Sequence, residues 1–336
     1  MTQALHNKIY GIFLVAIIAT IALFISKIPS VNSLAISPLV IGIVLGIFFA
    51  NSLNKIIPNA WHSGILFSAK TLLRIAIVFY GFRITFQQIA SVGLDGLILS
   101  IVMVSSTMIL GIFFGIKFLK LDKHTSILIA SGSAVCGAAA VLATEDAIKS
   151  EPHKTAIAIS TVVLFGTISL FLFPILFRSG VLQMDLTQYG LYVGGSIHEV
   201  AQVVGASNAV DPVSSDTAVI VKMTRVMLLA PMLLVLGLFL TKTATNKSQA
   251  VLTIPWFAVL FILVAGFNSL NLLPFQLVSY INEIDTFLLT MAMTALGMDT
   301  HLAKFKQAGF KPILLAILLF IWLVIGGYLM TLTISS

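Results

Sequence analysis

The sequence predicts an all-α integral membrane protein with about eleven transmembrane helices. Three observations predict it. Of 336 residues, 59% are hydrophobic and only 9% charged, where a soluble domain carries roughly a quarter. Mean hydropathy is +1.08. The apolar residues form continuous runs instead of period-two alternations, which excludes a β-barrel. So few charges leave a water-facing surface uncovered, and lipid is the solvent for most of the chain.

Apolar segments bounded by turn or charge signals fall near 10–26, 37–50, 64–82, 95–116, 124–148, 154–177, 188–207, 216–240, 254–270, 284–300 and 311–331. Most reach the roughly 20 residues that cross a hydrocarbon core of about 30 Å; 37–50 and 284–300 are short. No small-residue cleavage site follows the first run, which reads as a retained helix. That helix is expected to be peripheral to a single transmembrane domain, 1–336, with approximate halves 37–177 and 188–331. The only cysteine, Cys136, excludes an internal disulfide.

The net charge of +7 does not indicate a nucleic-acid partner. The basic residues sit in gaps between apolar segments, where the positive-inside rule accounts for them. With a cytoplasmic N-terminus, simple alternation places Lys8, Lys55, Lys117, Lys120, Lys123, Arg178, Lys242, Lys247, Lys304, Lys306 and Lys311 inside. Lys27, Arg83, Lys149 and Lys154 fall outside, and so does the C-terminus. Glu145, Asp146 and Glu151 read as a solvated charged end on that outer side.

Two internal similarities stand out. Gly81 and Gly93 bound GFRITFQQIASVG, and Gly297 and Gly309 bound GMDTHLAKFKQAG, each pair twelve apart. These segments leave the membrane on opposite sides, as an inverted-topology repeat requires. The second pair is SGSAVCGAAAVLA (131–143) and GGSIHEVAQVVGA (194–206). Alternation makes those helices parallel, so whether 124–148 and 188–207 are parallel or inverted stays open.

Candidate chemistry gathers at that second pair. Ser131, Gly132, Ser133, Cys136 and Gly137 interrupt one apolar run, and Gly195 and Ser196 another. A helix broken at membrane depth exposes backbone groups and needs a cavity or buried protein beside it. Its N–H end suits an anion, while close packing through small residues is the alternative reading. His198, Glu199 and Gln202 follow the second break. Ionisable groups inside a span cost at least a few kcal/mol and mark ion or substrate routes. Two cationic pairs are embedded as well: Lys70 with Arg74, and Lys222 with Arg225. Arginine presents a planar fork to oxyanions; pairing with Glu199 or Glu145 is the structural alternative. No Walker loop, zinc-spaced set or nucleophile elbow occurs, so no cofactor, metal or catalytic constellation is expected.

The stretches LLRIAIVFYGFRITFQQI, LDKHTSILIASGSAVCGAAAVLATE, IHEVAQVVGAS, KMTRVMLLAP and DTFLLTMAMTALGMDTHL closely resemble the YeiH-type family of proposed sulfate exporters. The resemblance covers nearly the whole chain. It implies a bacterial inner-membrane protein related to cation/proton antiporters and bile-acid symporters. It further implies discontinuous helices crossing near mid-membrane and a rocking or elevator movement.

The expected function is secondary-active transport of a small anion such as sulfate or an organosulfonate. Ser131, Gly132, Ser133, Cys136, Gly137, Gly195, Ser196 and Gln202 would bind the solute, and Arg225, Lys222 and Arg74 would balance its charge. His198 and Glu199 would carry a coupling proton. The alternative is a monovalent cation/proton antiporter, and a third reading is an intramembrane enzyme. Partners are the solute, protons, the bilayer and, for some functions, further copies of the chain.

Overall fold

The computed structural model describes residues 2–28, 37–52, 58–241, 256–300 and 309–335. Lys55, Lys242, Lys247, His301, Lys304 and Lys306 lie outside the described residues. Among the described residues all regular structure is helical. The helices are α1 (Thr2–Ser26), α2 (Pro38–Ser52), α3 (His62–Arg83), α4 (Phe86–Phe118), α5 (Lys123–Ala134), α6 (Ala138–Ile148) and α7 (Pro152–Arg178). They continue as α8 (Leu186–Ser196), α9 (Val200–Asn208), α10 (Pro212–Met227), α11 (Leu229–Thr241), α12 (Trp256–Ser269), α13 (Phe275–Asp299) and α14 (Phe310–Ile334).

Six helical stretches among the described residues are long and apolar enough to cross a membrane: Leu5–Ser26, α3, α4, His153–Arg178, Pro212–Gly237 and α14. The helices α2 and α12 are shorter and apolar. By length and composition these six are candidate spans among the described residues, against the eleven expected. The polarity is inverted relative to a soluble protein. Leu94, Ile109, Ile175 and Phe310 are each more than 60% exposed, while His198, Gln202, Lys222, Arg225 and Asp285 are at most 1% exposed.

The chain divides into two compact units, each assembled from separated stretches, and not into halves 37–177 and 188–331. Unit 1 comprises Met1–Ile89, Asn208–Val210 and Trp256–Leu302; unit 2 comprises Ala90–Ser207, Asp211–Pro255 and Ala303–Ser336. In unit 1, Val15, Ile18 and Ala19 of α1 pack with Ile65, Ala69, Met291 and Ala295. The first helix is thus core, not periphery. Gly46 and Gly297 mark the crossing of α2 and α13, where a Cβ on either would meet the other helix's backbone. Small residues allow that approach.

Unit 2 has its core where α5, α6, α7 and α14 meet: Leu128, Ile129, Val141, Ala158, Val162, Phe165, Leu315 and Leu319. Side-chain caps fix its helix starts. Asp122 accepts from Thr125 N at 3.1 Å to open α5. Asp185 and Gln188 form a reciprocal capping box on α8, which satisfies two backbone donors. Asp211 caps α10 ahead of Pro212.

Candidate functional site: two opposed helical hairpins

The segment 124–148, expected to cross as one span, forms two short helices. The helices α5 and α6 have 12 and 11 residues, about 18 and 17 Å of helix, each well short of a 30 Å core. The chain folds back between them. Lys154 Nζ, at the start of α7, lies 3.3 Å from Asp122 Oδ1, just before α5. A straight helical path between those residues would separate them by roughly 45 Å. The helices α5 and α6 form hairpin 1. The Asp122 carboxyl sits below its usual range: partial burial pushes it up, but hydrogen bonds from Thr125 and the Lys154 ammonium outweigh that.

The helices α8 and α9 form hairpin 2 in the same way. Tyr189 Oη donates to Ala206 O at 3.4 Å across 17 residues. Ser214 Oγ of α10 donates to Ser207 O at 3.1 Å, while a Cβ on Gly190 would meet Ser214 and Thr217. The start of α8 and the end of α9 therefore lie against the same turn of α10.

The helix α7 orders the two hairpins. From its N-terminal end, Lys154 holds the base of hairpin 1, and Val162 packs on Gly132 near that hairpin's tip. One turn on, Gly166 faces Gln202 of hairpin 2. Phe173 then stacks on Tyr192 at 4.7 Å and Phe177 packs on Tyr189 at 4.5 Å. The hairpins enter from opposite ends of α7 and meet tip to tip. The helix α14 repeats the order. Leu315 and Leu319 join hairpin 1, Gly327 faces Ser196, and Gln188 Nε2 donates to Ser335 Oγ at 3.1 Å.

Both tips break where the sequence placed glycine and serine. After Ala134, Val135 has φ −112° and ψ −85°, and Gly137 has φ +76°. After Ser196, Ile197 is extended at φ −71° and ψ 147°. Each break strips carbonyls of their helical partners, and α10 supplies the replacements. Lys222 Nζ donates to Val135 O at 2.7 Å and Ile197 O at 2.6 Å. Arg225 Nε reaches Ala134 O at 3.2 Å and Nη1 reaches Gly194 O at 3.3 Å and Gly195 O at 2.5 Å. Nη2 reaches Ser133 O at 3.2 Å and also Ala134 O. One ammonium and one guanidinium thus staple equivalent carbonyls of the two tips. Both side chains are fully buried, and they sit at helix C-terminal ends, whose partial negative charge favours cations.

All five N–H donors of Arg225 point at carbonyls, leaving none for an oxyanion. Lys222 spends two of three donors likewise. Their hydrogen-bond partners are backbone carbonyls. Arg74 is not part of this cluster: it belongs to unit 1 and is exposed, as is Lys70.

The remaining expected residues divide between the tips. Ser131 Oγ donates back to Leu128 O at 3.0 Å, Gly137 N donates to Gly132 O at 3.0 Å, and Cys136 is buried. Glu199 crosses from hairpin 2 to hairpin 1, where its Oε1 accepts from Ala138 N at 3.2 Å. Gly137 permits this, because a Cβ there would collide with the Glu199 side chain. Gln202 Oε1 accepts from Glu199 N at 3.1 Å. Hairpin 2 also holds three buried polar atoms without a partner among the described residues: Ser196 Oγ, His198 Nδ1 and Gln202 Nε2. Buried polar atoms are normally satisfied, so three on one tip set it apart from its surroundings.

A second polar cluster, in unit 1, was not anticipated from sequence. Arg83 Nε lies 3.2 Å from Asp285 Oδ2, and that carboxylate is fully buried. The available signal was an aspartate at the edge of an apolar run, opposite an arginine read only as a gap charge.

These features define an α-helical membrane protein with two opposed helical hairpins in unit 2. The family model described as "Conserved hypothetical protein 698" matches residues 10–316, and the chain belongs to that family. A UPF0324 membrane protein of Bordetella pertussis is 48% identical over 96% of this chain and 94% of its own length. One from Bacteroides thetaiotaomicron is 46% identical over 95% of this chain and 96% of its own. The UPF0324 inner membrane protein YeiH of Escherichia coli K12 is 46% identical over 97% and 94%. The expected YeiH-type membership is thereby established, and the chain is a membrane protein.

Proposed function

We propose that this chain is a secondary-active transporter of a small oxyanion, sulfate or an organosulfonate in class, coupled to protons. The observation that carries it is the pair of helix breaks meeting inside unit 2, stapled by buried cations, with three unpaired polar atoms on one tip. Broken helices at membrane depth belong beside a cavity or buried protein, and half-helix ends are where transporters hold ions. The solute's oxygens would take hydrogen bonds from Ser196 Oγ, Gln202 Nε2 and His198, and from first-turn N–H groups of α6 and α9. Lys222 and Arg225 would act through their field, not by contact. His198 and Glu199 remain the groups assigned to the coupling proton.

Charge favours an anion over the cation/proton antiporter reading. Lys222 and Arg225 contribute two positive charges and Glu199 one negative. The C-terminal ends of α5 and α8 and the N-terminal ends of α6 and α9 carry about half a charge each, of opposite sign, and cancel. One positive charge is left over. An intramembrane enzyme using His198 and Glu199 is the third reading, and it predicts turnover without a sealed membrane.

The fold-back also sharpens the proposed orientation. Treating both hairpins as re-entrant moves Lys149 and Lys154 to the inner side and Arg178 to the outer. Eleven against four becomes twelve against three, a stronger positive-inside bias. The chain then crosses nine times, in a bacterial inner membrane as the name of the Escherichia coli relative states for that protein. The N-terminus is cytoplasmic and the C-terminus outside, with the hairpins entering from opposite faces.

The test is uptake of radiolabelled sulfate and taurine into proteoliposomes under an imposed pH gradient. Gradient-driven uptake that falls about tenfold in Gln202→Ala and loses its pH dependence in His198→Ala supports the proposal. Flux driven by a sodium gradient with no anion present would replace it with the antiporter reading.

A further inference from the structure

Unit 1 holds a polar recess that the hairpins do not use. Arg83 ends the α3 span, and its guanidinium lies against the first half of α13. Nη2 donates to Asn282 O at 2.6 Å and Thr286 Oγ1 at 2.7 Å, and Nε donates to Asp285 Oδ2 at 3.2 Å. Nη1 has no hydrogen bond to a described residue. A cavity of about 240 Å³ opens beside it, walled by Arg83, Phe275, Ser279, Asn282, Glu283 and Thr286. The α13 positions recur at three- and four-residue spacing, so one helix face forms the wall.

Both signs of charge meet in this recess. The guanidinium offers a free edge. Glu283 is exposed, and Asn282 Oδ1 is a buried acceptor without a partner among the described residues. An anion alone would face Glu283 and Asn282 Oδ1, and a cation alone would face Arg83. A zwitterion joining an oxyanion to a primary ammonium satisfies both sides. Along the same helix Phe275 is 85% exposed, Tyr280 64% and Ile284 60%. Of these only Phe275 lies on the face of the recess, where it suits an acyl chain, and the end of a span lies at headgroup level.

We propose that this recess binds the headgroup of an ethanolamine phospholipid. The phosphate rests on Arg83 Nη1 and Ser279, and the ammonium on Glu283 and Asn282 Oδ1. A choline headgroup has no N–H to donate, and a glycerol headgroup has no cation.

The test uses the full-length protein purified in detergent, with phosphatidylethanolamine, phosphatidylcholine, phosphatidylglycerol or soluble phosphoethanolamine added. Thermal shift and mass spectrometry of co-purified lipid are the readouts. Phosphatidylethanolamine should stabilise most. Glu283→Gln should weaken it by about two- to fivefold, the range of an exposed ion pair, and erase its advantage over phosphatidylcholine. Ser279→Ala should weaken phosphatidylethanolamine and phosphatidylglycerol alike. Arg83 is left intact because it also anchors Asp285. Equal stabilisation by all three lipids, or a preference that survives Glu283→Gln, overturns the proposal. Soluble phosphoethanolamine binding as tightly as the lipid keeps the zwitterion chemistry and overturns the lipid as its source.

Discussion

The two hairpin tips share a sequence pattern and a backbone break yet differ in what they leave unsatisfied. In hairpin 1, Ser131 bonds back to its own helix and Gly137 N closes the turn on Gly132 O. No side-chain oxygen from 131 to 137 is buried without a partner; Thr144, two turns further on, is the nearest. In hairpin 2, Ser196, His198 and Gln202 each keep an unpaired atom. Similar breaks therefore serve two ends. One tip ties Ser131 back to its own helix and anchors Glu199, and the other keeps three buried polar atoms unpaired among the described residues. The shared staple on α10 holds both.

Removing that staple should have the largest effect. Arg225→Ala leaves the carbonyls of Ser133, Ala134, Gly194 and Gly195 without their cation. The expected loss is about 1–3 kcal/mol for each buried carbonyl left unsatisfied, read as a drop in thermal midpoint in detergent. A folded, near-wild-type variant would break the comparison by showing that the tips hold themselves.

Next comes Gly137→Ala. The backbone at φ +76° disfavours any side chain, and the new Cβ would displace Glu199. A cost of about 2 kcal/mol is expected. Gly195→Ala should cost less, since its Cβ would press only on the Leu99 side chain.

A smaller stability effect but a sharper functional one is expected at the open tip. Ser196→Ala removes an unpaired hydroxyl, so the midpoint should barely move. If the hydroxyl contacts solute, affinity should fall about tenfold, one hydrogen bond's worth. Ser131→Ala, at the closed tip, should leave affinity unchanged, and equal losses at both would erase the distinction.

The smallest effect belongs to the base of hairpin 1. Asp122 has a lowered folded-state value, so its contribution is present above the unfolded value and lost as pH falls through the folded one. Asp122→Asn should cost less than about 1 kcal/mol at neutral pH, as exposed pairs do. Its difference from wild type should begin to shrink near the unperturbed value of 3.8 and vanish only below the lowered folded-state value.

The helical membrane class and the break positions were legible because composition and the SGSAVCG and GGSIHE clusters report them locally. The fold-back was not. Two helices of 12 and 11 residues make an apolar run as long as one span, and hydropathy counts length without direction. The conflict between similar sequence and parallel orientation was the one trace of it. Lys222 and Arg225 were found as embedded cations, but sequence could not show that carbonyls would take their donors. Arg74 shares the same residue type and lies exposed in unit 1. Asp285 was missed because its partner Arg83 is 202 residues away in the chain.

The most direct test is the sidedness of the hairpin bases. On a Cys136→Ser background in sealed, oriented vesicles, Lys123→Cys, Glu151→Cys, Gln183→Cys and Val213→Cys would each be exposed to a membrane-impermeant maleimide. Two re-entrant hairpins require positions 123 and 151 to label from one face and 183 and 213 both from the other. Labelling of 123 and 151 from opposite faces would mean that the segment between them crosses, and the opposed-hairpin core would be wrong.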